Sequence, residues 1–227
     1  MPSVVIDTSI SLPATLSPTG VRRRFWVVLA LGALSYEVEH GRLELDALTA
    51  EAEQEGGGVG GVDNALARLE WASDRRAALL ERLPYGTPED WVAIGSRPLF
   101  DEYERKLREI GTKLDPALHE ADIPRLRRQL EALCVIPAPL FQEADVPVLT
   151  ADPKDDPILY TALVAAADLL ISGDKHLVPD KQQELWEHDG QTVLALTFET
   201  LLADRLDEVD WDQIDGSWLA RAYDEPD

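Results

Sequence analysis

Short apolar segments that stop at a polar or turn residue constrain this chain more than any other feature. Val4 to Ile6, Trp91 to Ile94, Leu169 to Ile171 and Thr192 to Leu196 read as strands bounded by turns. Between them lie helical patterns, notably Leu99, Tyr103, Leu107 and Ile110 at helical spacing and the alanine-rich stretch from Pro157 to Ala167. Strands alternating with helices imply an α/β fold with a parallel sheet. A further short strand near Cys134-Val135-Ile136 is expected to end at Pro137 and Pro139, because proline removes a ladder donor.

The stretch from Phe25 to Leu83 is helix-rich and is interrupted at Glu55 to Gly61 by five glycines in seven residues, so it reads as an inserted helical hairpin. Its most apolar part, Phe25 to Leu34, is ten residues long and falls short of the ~20 that a bilayer-spanning helix needs. A buried helix is expected there, and no membrane segment. Met1 to Asp7 looks like a strand and carries no targeting signal. After Leu202 the acids accumulate, from Asp207 to Asp227, with only Arg205 and Arg221 opposing them. That tail reads as a mobile or partner-binding segment.

Cys134 is the single cysteine, which excludes an intramolecular disulfide and a multi-cysteine zinc site and fits the cytoplasm. The four histidines, His40, His119, His176 and His188, show no zinc-motif spacing. Forty-three acids against twenty-one Lys and Arg give a net charge of −22, which argues against an ordinary basic nucleic-acid-binding surface. Most members of the basic clusters at Arg22 to Arg24, Arg75-Arg76 and Arg125 to Arg128 are expected in helix-surface ion pairs.

In an open parallel sheet, ligands bind outside the carboxyl ends of the strands. Asp7 directly follows the first strand, and Asp174 follows the third by a Ser-Gly turn. Each, alone, is equally well a turn or capping residue. In Asp152-Pro153-Lys154-Asp155-Asp156-Pro157, Asp156 matches an N-cap before a first-turn proline, while Asp152 and Asp155 read either as helix-start acids or as cation ligands. Glu102 lies at the edge of the Leu99–Ile110 stripe, and periodicity does not choose it over Asp101 or Glu104. Lys175 and His176 are phosphate contacts or solvated turn residues.

In combination these segments resemble the PIN-domain nucleases, specifically the bacterial toxin-type branch. The resemblance runs through Val4-Val5-Ile6-Asp7-Thr8-Ser9, through Ser96 to Leu107 with its Glu102-Tyr103, through Asp152 to Asp156, and through Ser172-Gly173-Asp174-Lys175-His176-Leu177, with Val193 to Glu199 as a closing strand and helix. It covers roughly two-thirds of the chain, leaving the helical stretch and the tail without a counterpart. It implies a PIN-like three-layer α/β/α fold whose mainly parallel sheet has about four to five strands. The domain would be residues 1–203, with a helical elaboration over about 25–90 broken at 55–61, followed by an acidic tail at 204–227.

Carried over by position, the four principal acids are Asp7, Glu102, Asp155 and Asp174, with Asp152 auxiliary. Asp156 stands where such proteins often carry asparagine, as a further ligand or a better cap. Thr8 and Ser172 would orient carboxylates by hydrogen bonds. The implied activity is hydrolysis of RNA phosphodiester bonds with Mg²⁺ or Mn²⁺, hard cations that select oxygen ligands and need no histidine or cysteine. The implied partners are RNA and a small basic antitoxin protein, and a homodimer is compatible with this reading. The competing readings are a catalytically idle PIN-like protein-interaction module and a different metal-dependent phosphohydrolase.

Overall fold

The computed structural model describes residues 1–17, 20–55, 59–111, 113, 118–180 and 182–216. Six strands form one sheet in the order β3-β2-β1-β4-β6-β5, where β1 is Ser3–Ile6, β2 Val92–Gly95, β3 Ile136–Pro137, β4 Leu169–Ile171, β5 Gln183–His188 and β6 Gln191–Leu196. Every neighbouring pair is parallel except β5 with β6. The fold class is therefore α/β, as alternating strands and helices predict. The sheet exceeds the expected four to five strands by β5, a hairpin partner closed by Asp189-Gly190 with both residues at positive φ (49° and 77°). Such a primed turn matches the right-handed twist of the strands it joins.

The central strands β1, β2 and β4 bury almost every residue, so both of their faces are covered. The covering helices among the described residues are α1 (Thr8–Leu16), α2 (Val21–Glu55), α3 (Val59–Leu80), α4 (Arg97–Lys106), α5 (Ile123–Leu133), α6 (Asp156–Val164) and α7 (Phe198–Arg205). In α2 the run Phe25 to Leu31 is at most 1% exposed, which accounts for its unbroken apolarity: it is a core helix. Beyond Val38 the same helix leaves the core and pairs with α3. Arg76 Nε donates to Ser35 Oγ, Leu69 lies against Gly41, and Arg68 faces both Glu37 and Glu44, so the two helices run antiparallel, as the inserted-hairpin pattern predicts. Ala65, Ala72 and Leu79, seven residues apart, form the buried seam of α3. The expected break at 55–61 is narrower than its glycines suggest: Glu55 ends α2 and Val59, Gly60 and Gly61 begin α3, while residues 56–58 lie outside the described residues.

The acidic segment after α7 packs on the core as far as residue 216. Arg24 donates to the Trp211 carbonyl and to Asp212, both at 2.7 Å, Arg23 donates to the Gly216 carbonyl, and Ile214 is buried. These bonds, with the Arg22–Glu199 ion pair at the surface, engage all three arginines of the Arg22–Arg24 cluster within the chain. The acids at 224, 225 and 227 lie outside the described residues. No helix among the described residues is long and apolar enough to cross a membrane.

A candidate carboxylate centre

The register of β1 on β4 pairs Ile6 with Ile171, so the residues just beyond each strand emerge side by side, and Asp7 N–H donates to the Ile171 carbonyl at 2.9 Å. Asp7 stands at the N-cap position of α1, yet its carboxylate makes no capping bond. Three hydroxyls hold it instead: Ser9 and Ser172 each donate to Oδ2 at 2.6 Å and Thr8 to Oδ1 at 3.2 Å. Asp7 is 4% exposed, and its carboxylate is fixed in one orientation by buried Thr8 and Ser172 together with exposed Ser9. Thr8 and Ser172 were legible as supporting residues. Ser9, which also accepts from Gly173 N–H at 2.9 Å and so ties the two strand ends together, was not singled out.

Asp174 lies in the turn after β4. Its N–H donates to Ser172 Oγ at 2.9 Å and its Oδ1 accepts from His176 N–H at 2.8 Å. One oxygen thus serves the turn, as the conservative reading expects.

Glu102 is positioned by α4, whose start is capped by Ser96 Oγ accepting from Leu99 N–H and is fastened to α6 by a 2.8 Å bond between Ser96 and Thr161 hydroxyls. A hydrogen bond from Tyr103 to Thr15 locks the other side of α4 onto α1. Asp101 and Glu104 instead meet Arg127, and Glu104 also meets Arg108 at 2.6 Å. Arg127 and Arg108 therefore claim the neighbours of Glu102, which itself meets Arg105 at 3.4 Å and lines the cavity described below.

At the start of α6 the helix begins at Asp156 with Asp155 as N-cap, one residue earlier than the Asp156-Pro157 pattern predicts. Asp156 is 3% exposed and accepts from both Thr150 N–H (2.7 Å) and Thr150 Oγ (2.8 Å), so its carboxylate anchors the preceding loop. Asp156→Ala should leave the Thr150 N–H unpaired, while the Thr150 hydroxyl keeps the Asp152 carbonyl at 2.7 Å, and cost about 1–3 kcal/mol, a fall of roughly 3–10 °C in melting temperature. The same fall is expected with and without Mn²⁺. A Mn²⁺-dependent difference would make Asp156 a ligand after all. Asp152 accepts from Lys154 N–H at 3.1 Å and lies outside the cavity wall.

Asp7, Glu102, Asp155 and Asp174, from four separate elements, line one cavity of about 120 Å³ together with Thr8, Ser9 and Lys106. Asp155 Oδ2 is buried there and meets no donor. Burial, and then the charges of Asp174, Asp7, Asp152 and Glu102, push the Asp155 carboxyl up to about 7. Glu102 is also raised, first by burial and then by Asp7. Among the described residues no three acids already stand at metal-ligand spacing. Ionised carboxylates repel one another, and a cation between them would relieve that repulsion. Among the described residues no histidine or cysteine lines the cavity, and burial pushes the Cys134 thiol up to about 12, far from a reactive thiolate. An all-oxygen donor set with an unpartnered buried oxygen fits a hard divalent ion. Searched against family models, curated proteins and solved structures, the chain matches none.

Proposed function

We propose that the chain is a metal-dependent ribonuclease with a PIN-like fold, acting as the toxin of a toxin–antitoxin pair in the cytoplasm, with a small basic antitoxin as partner and homodimerisation compatible with that role. One observation carries the hydrolytic part: four acids more than 160 residues apart at the extremes line one small cavity, where Asp155 Oδ2 has no donor. The choice of RNA and of an antitoxin rests on the resemblance of the Asp7, Glu102 and Asp152–Asp174 segments to the toxin-type branch.

Asp7, Glu102, Asp155 and Asp174 would hold Mg²⁺ or Mn²⁺, which when bound supplies positive charge to the phosphoryl oxygens and activates water for attack. The chain's own contribution is orientation. The hydroxyls of Thr8, Ser9 and Ser172 fix Asp7 and leave little reorganisation for the reaction. Lys106, on the cavity wall, tempers carboxylate repulsion before substrate arrives and can face a phosphate oxygen afterwards.

Binding linked to the native state should show as stability. Mn²⁺ at about a hundredfold over its Kd adds roughly 2.7 kcal/mol, a rise of about 5–10 °C in melting temperature at pH 8. Asp7→Asn should lose most of that rise. Equal behaviour of the two proteins would remove the metal centre. Labelled single-stranded RNA should be cut with Mn²⁺, spared with chelator, and spared by Asp174→Asn. Cleavage that survives both changes would place the chemistry elsewhere. RNA left intact under every condition would favour the idle interaction module, a reading that draws on the absence of a pre-closed three-acid cage among the described residues.

A further inference from the structure

Beside the carboxylate cavity, and sharing Glu102 with it, lies a larger cleft of about 660 Å³. Its wall includes Arg97, Asp101, Glu102, Arg105, Phe141 and Lys154. Three cations stand against two acids on its wall in a chain whose net charge is −22, with Glu109 beside them on Arg105. Local potential, more than net charge, decides where a polyanion docks.

The cations are available in different degrees. Lys154 is exposed and has no ion pair among the described residues. The Arg97 side chain is 86% exposed and holds Asp101 only at 3.6 Å. Arg105 is shared between Glu109 and Glu102. Phe141 is braced edge-on by Tyr160, with ring centroids 5.0 Å apart at 82°. A fixed aromatic ring among cations is the combination that binds a single strand, phosphates to the charges and a base to the ring. Bases within a duplex are stacked on one another and cannot offer that face.

The placement adds direction. Arg97 and Arg105 belong to α4, the helix that carries Glu102, and Lys154 immediately precedes Asp155. A strand lying in the cleft therefore leads into the carboxylates. We infer that this cleft holds the single-stranded segment of polynucleotide flanking the bond to be cut, with its phosphates on Lys154, Arg97 and Arg105 and one base stacked on Phe141. The inference rests on the nuclease reading for its direction, and on the cleft alone for its binding.

The test uses full-length Asp174→Asn protein with Mn²⁺ and a fluorescein-labelled twelve-nucleotide oligouridylate, read by anisotropy across a salt series. Adding Arg97→Ala and Lys154→Ala should weaken binding about tenfold or more and make the slope of log affinity against log salt shallower by about 1.4, since each single-strand phosphate contact contributes about 0.7. Phe141→Leu, its fold checked by thermal melting, should weaken binding about fivefold or more with the slope unchanged. A matched duplex should bind more weakly than the single strand. Unchanged affinity in the double-cation variant, equal binding of duplex, or displacement of the RNA by oligoglutamate at equal charge would each overturn the inference, the last by assigning the cleft to an acidic peptide. Hydrolysis of bis(4-nitrophenyl) phosphate by the unmodified protein with Mn²⁺ reports on the carboxylate centre separately. Hydrolysis with cleft-independent RNA binding defeats this inference alone, and cleft-dependent binding without hydrolysis defeats the nuclease reading alone.

Discussion

Asp155→Asn is expected to yield a protein that is more stable than the parent in chelator at pH 8 and, on the proposed nuclease reading, at least about 100-fold slower at cutting RNA, a loss of roughly 3 kcal/mol of transition-state stabilisation. The two effects have one cause. In the folded chain the Asp155 carboxyl is pushed up to about 7 by burial and by four neighbouring acids, whereas an unfolded aspartate titrates near 3.9. A carboxyl whose folded pKa lies above its unfolded value opposes folding once ionised. Metal-free stability should therefore decline as pH rises from about 4 to about 7 and level off above that. The side chain is only partly buried, so after allowance for solvent screening the penalty is about 2 kcal/mol. Asparagine keeps the shape and removes the charge. The melting-temperature gap between variant and parent should be small at pH 5 and about 4–8 °C at pH 8 in favour of the variant. A gap independent of pH, or a variant less stable at pH 8, would mean that Asp155 is not under the electrostatic stress that a cation relieves. Stability sacrificed at one position while activity depends on it is the signature of a functional residue.

The legible parts of this molecule were those whose cause is local. Strands β1, β2 and β4 are short apolar runs because their environment is apolar on both faces, and β6 joins them from Val193 on, after its exposed Gln191 and Thr192. Asp7 and Asp174 follow from where strands end. Strand β5 was missed because its burial alternates and Leu185 remains 64% exposed, so its sequence is polar overall. The Asp189-Gly190 pair was its available signal. Choices among neighbouring acids were not legible, because they are made by residues distant in the chain. Arg127 on α5 claims Asp101 and Glu104, while Glu102 meets Arg105 and lines the cavity. Thr150 claims Asp156 and leaves Asp155. The docking of residues 206–216 depends likewise on Arg23 and Arg24, almost two hundred positions away. A charge pattern that reads as a solvated tail is here balanced by arginines at the far end of the sequence.

The same dependence on distant contacts makes Gly32→Ala the most damaging small substitution the structure predicts. Within a helix interior, alanine ordinarily gains about 1 kcal/mol over glycine. At position 32 a methyl group would stand 1.7 Å from the Trp91 carbonyl oxygen and 2.6 Å from its carbon. Both are backbone atoms, so no side-chain rotation relieves the overlap. Either α2 must withdraw from the sheet or the chain entering β2 must shift, and both are held. Phe25 on α2 packs edge-on against Trp91, Phe198 and Trp211, all within 6.5 Å between ring centroids. Forcing them apart should cost more than about 4 kcal/mol, in the range reserved for severe overpacking, and lower the melting temperature by more than roughly 10 °C. Gly41→Ala supplies the control on the same helix. Its methyl would meet Leu69 at 3.5 Å, an ordinary contact, so stability should hold or rise by up to about 1 kcal/mol. Opposite signs for one substitution at two sites nine residues apart would locate the tight approach between α2 and β2, whereas equal behaviour would show that α2 does not press on the sheet. Because β2 leads directly through Ser96 into α4 and Glu102, on the proposed metal reading any Gly32→Ala protein that survives folding should also lose Mn²⁺ stabilisation, coupling the core part of α2 to the carboxylate centre through β2.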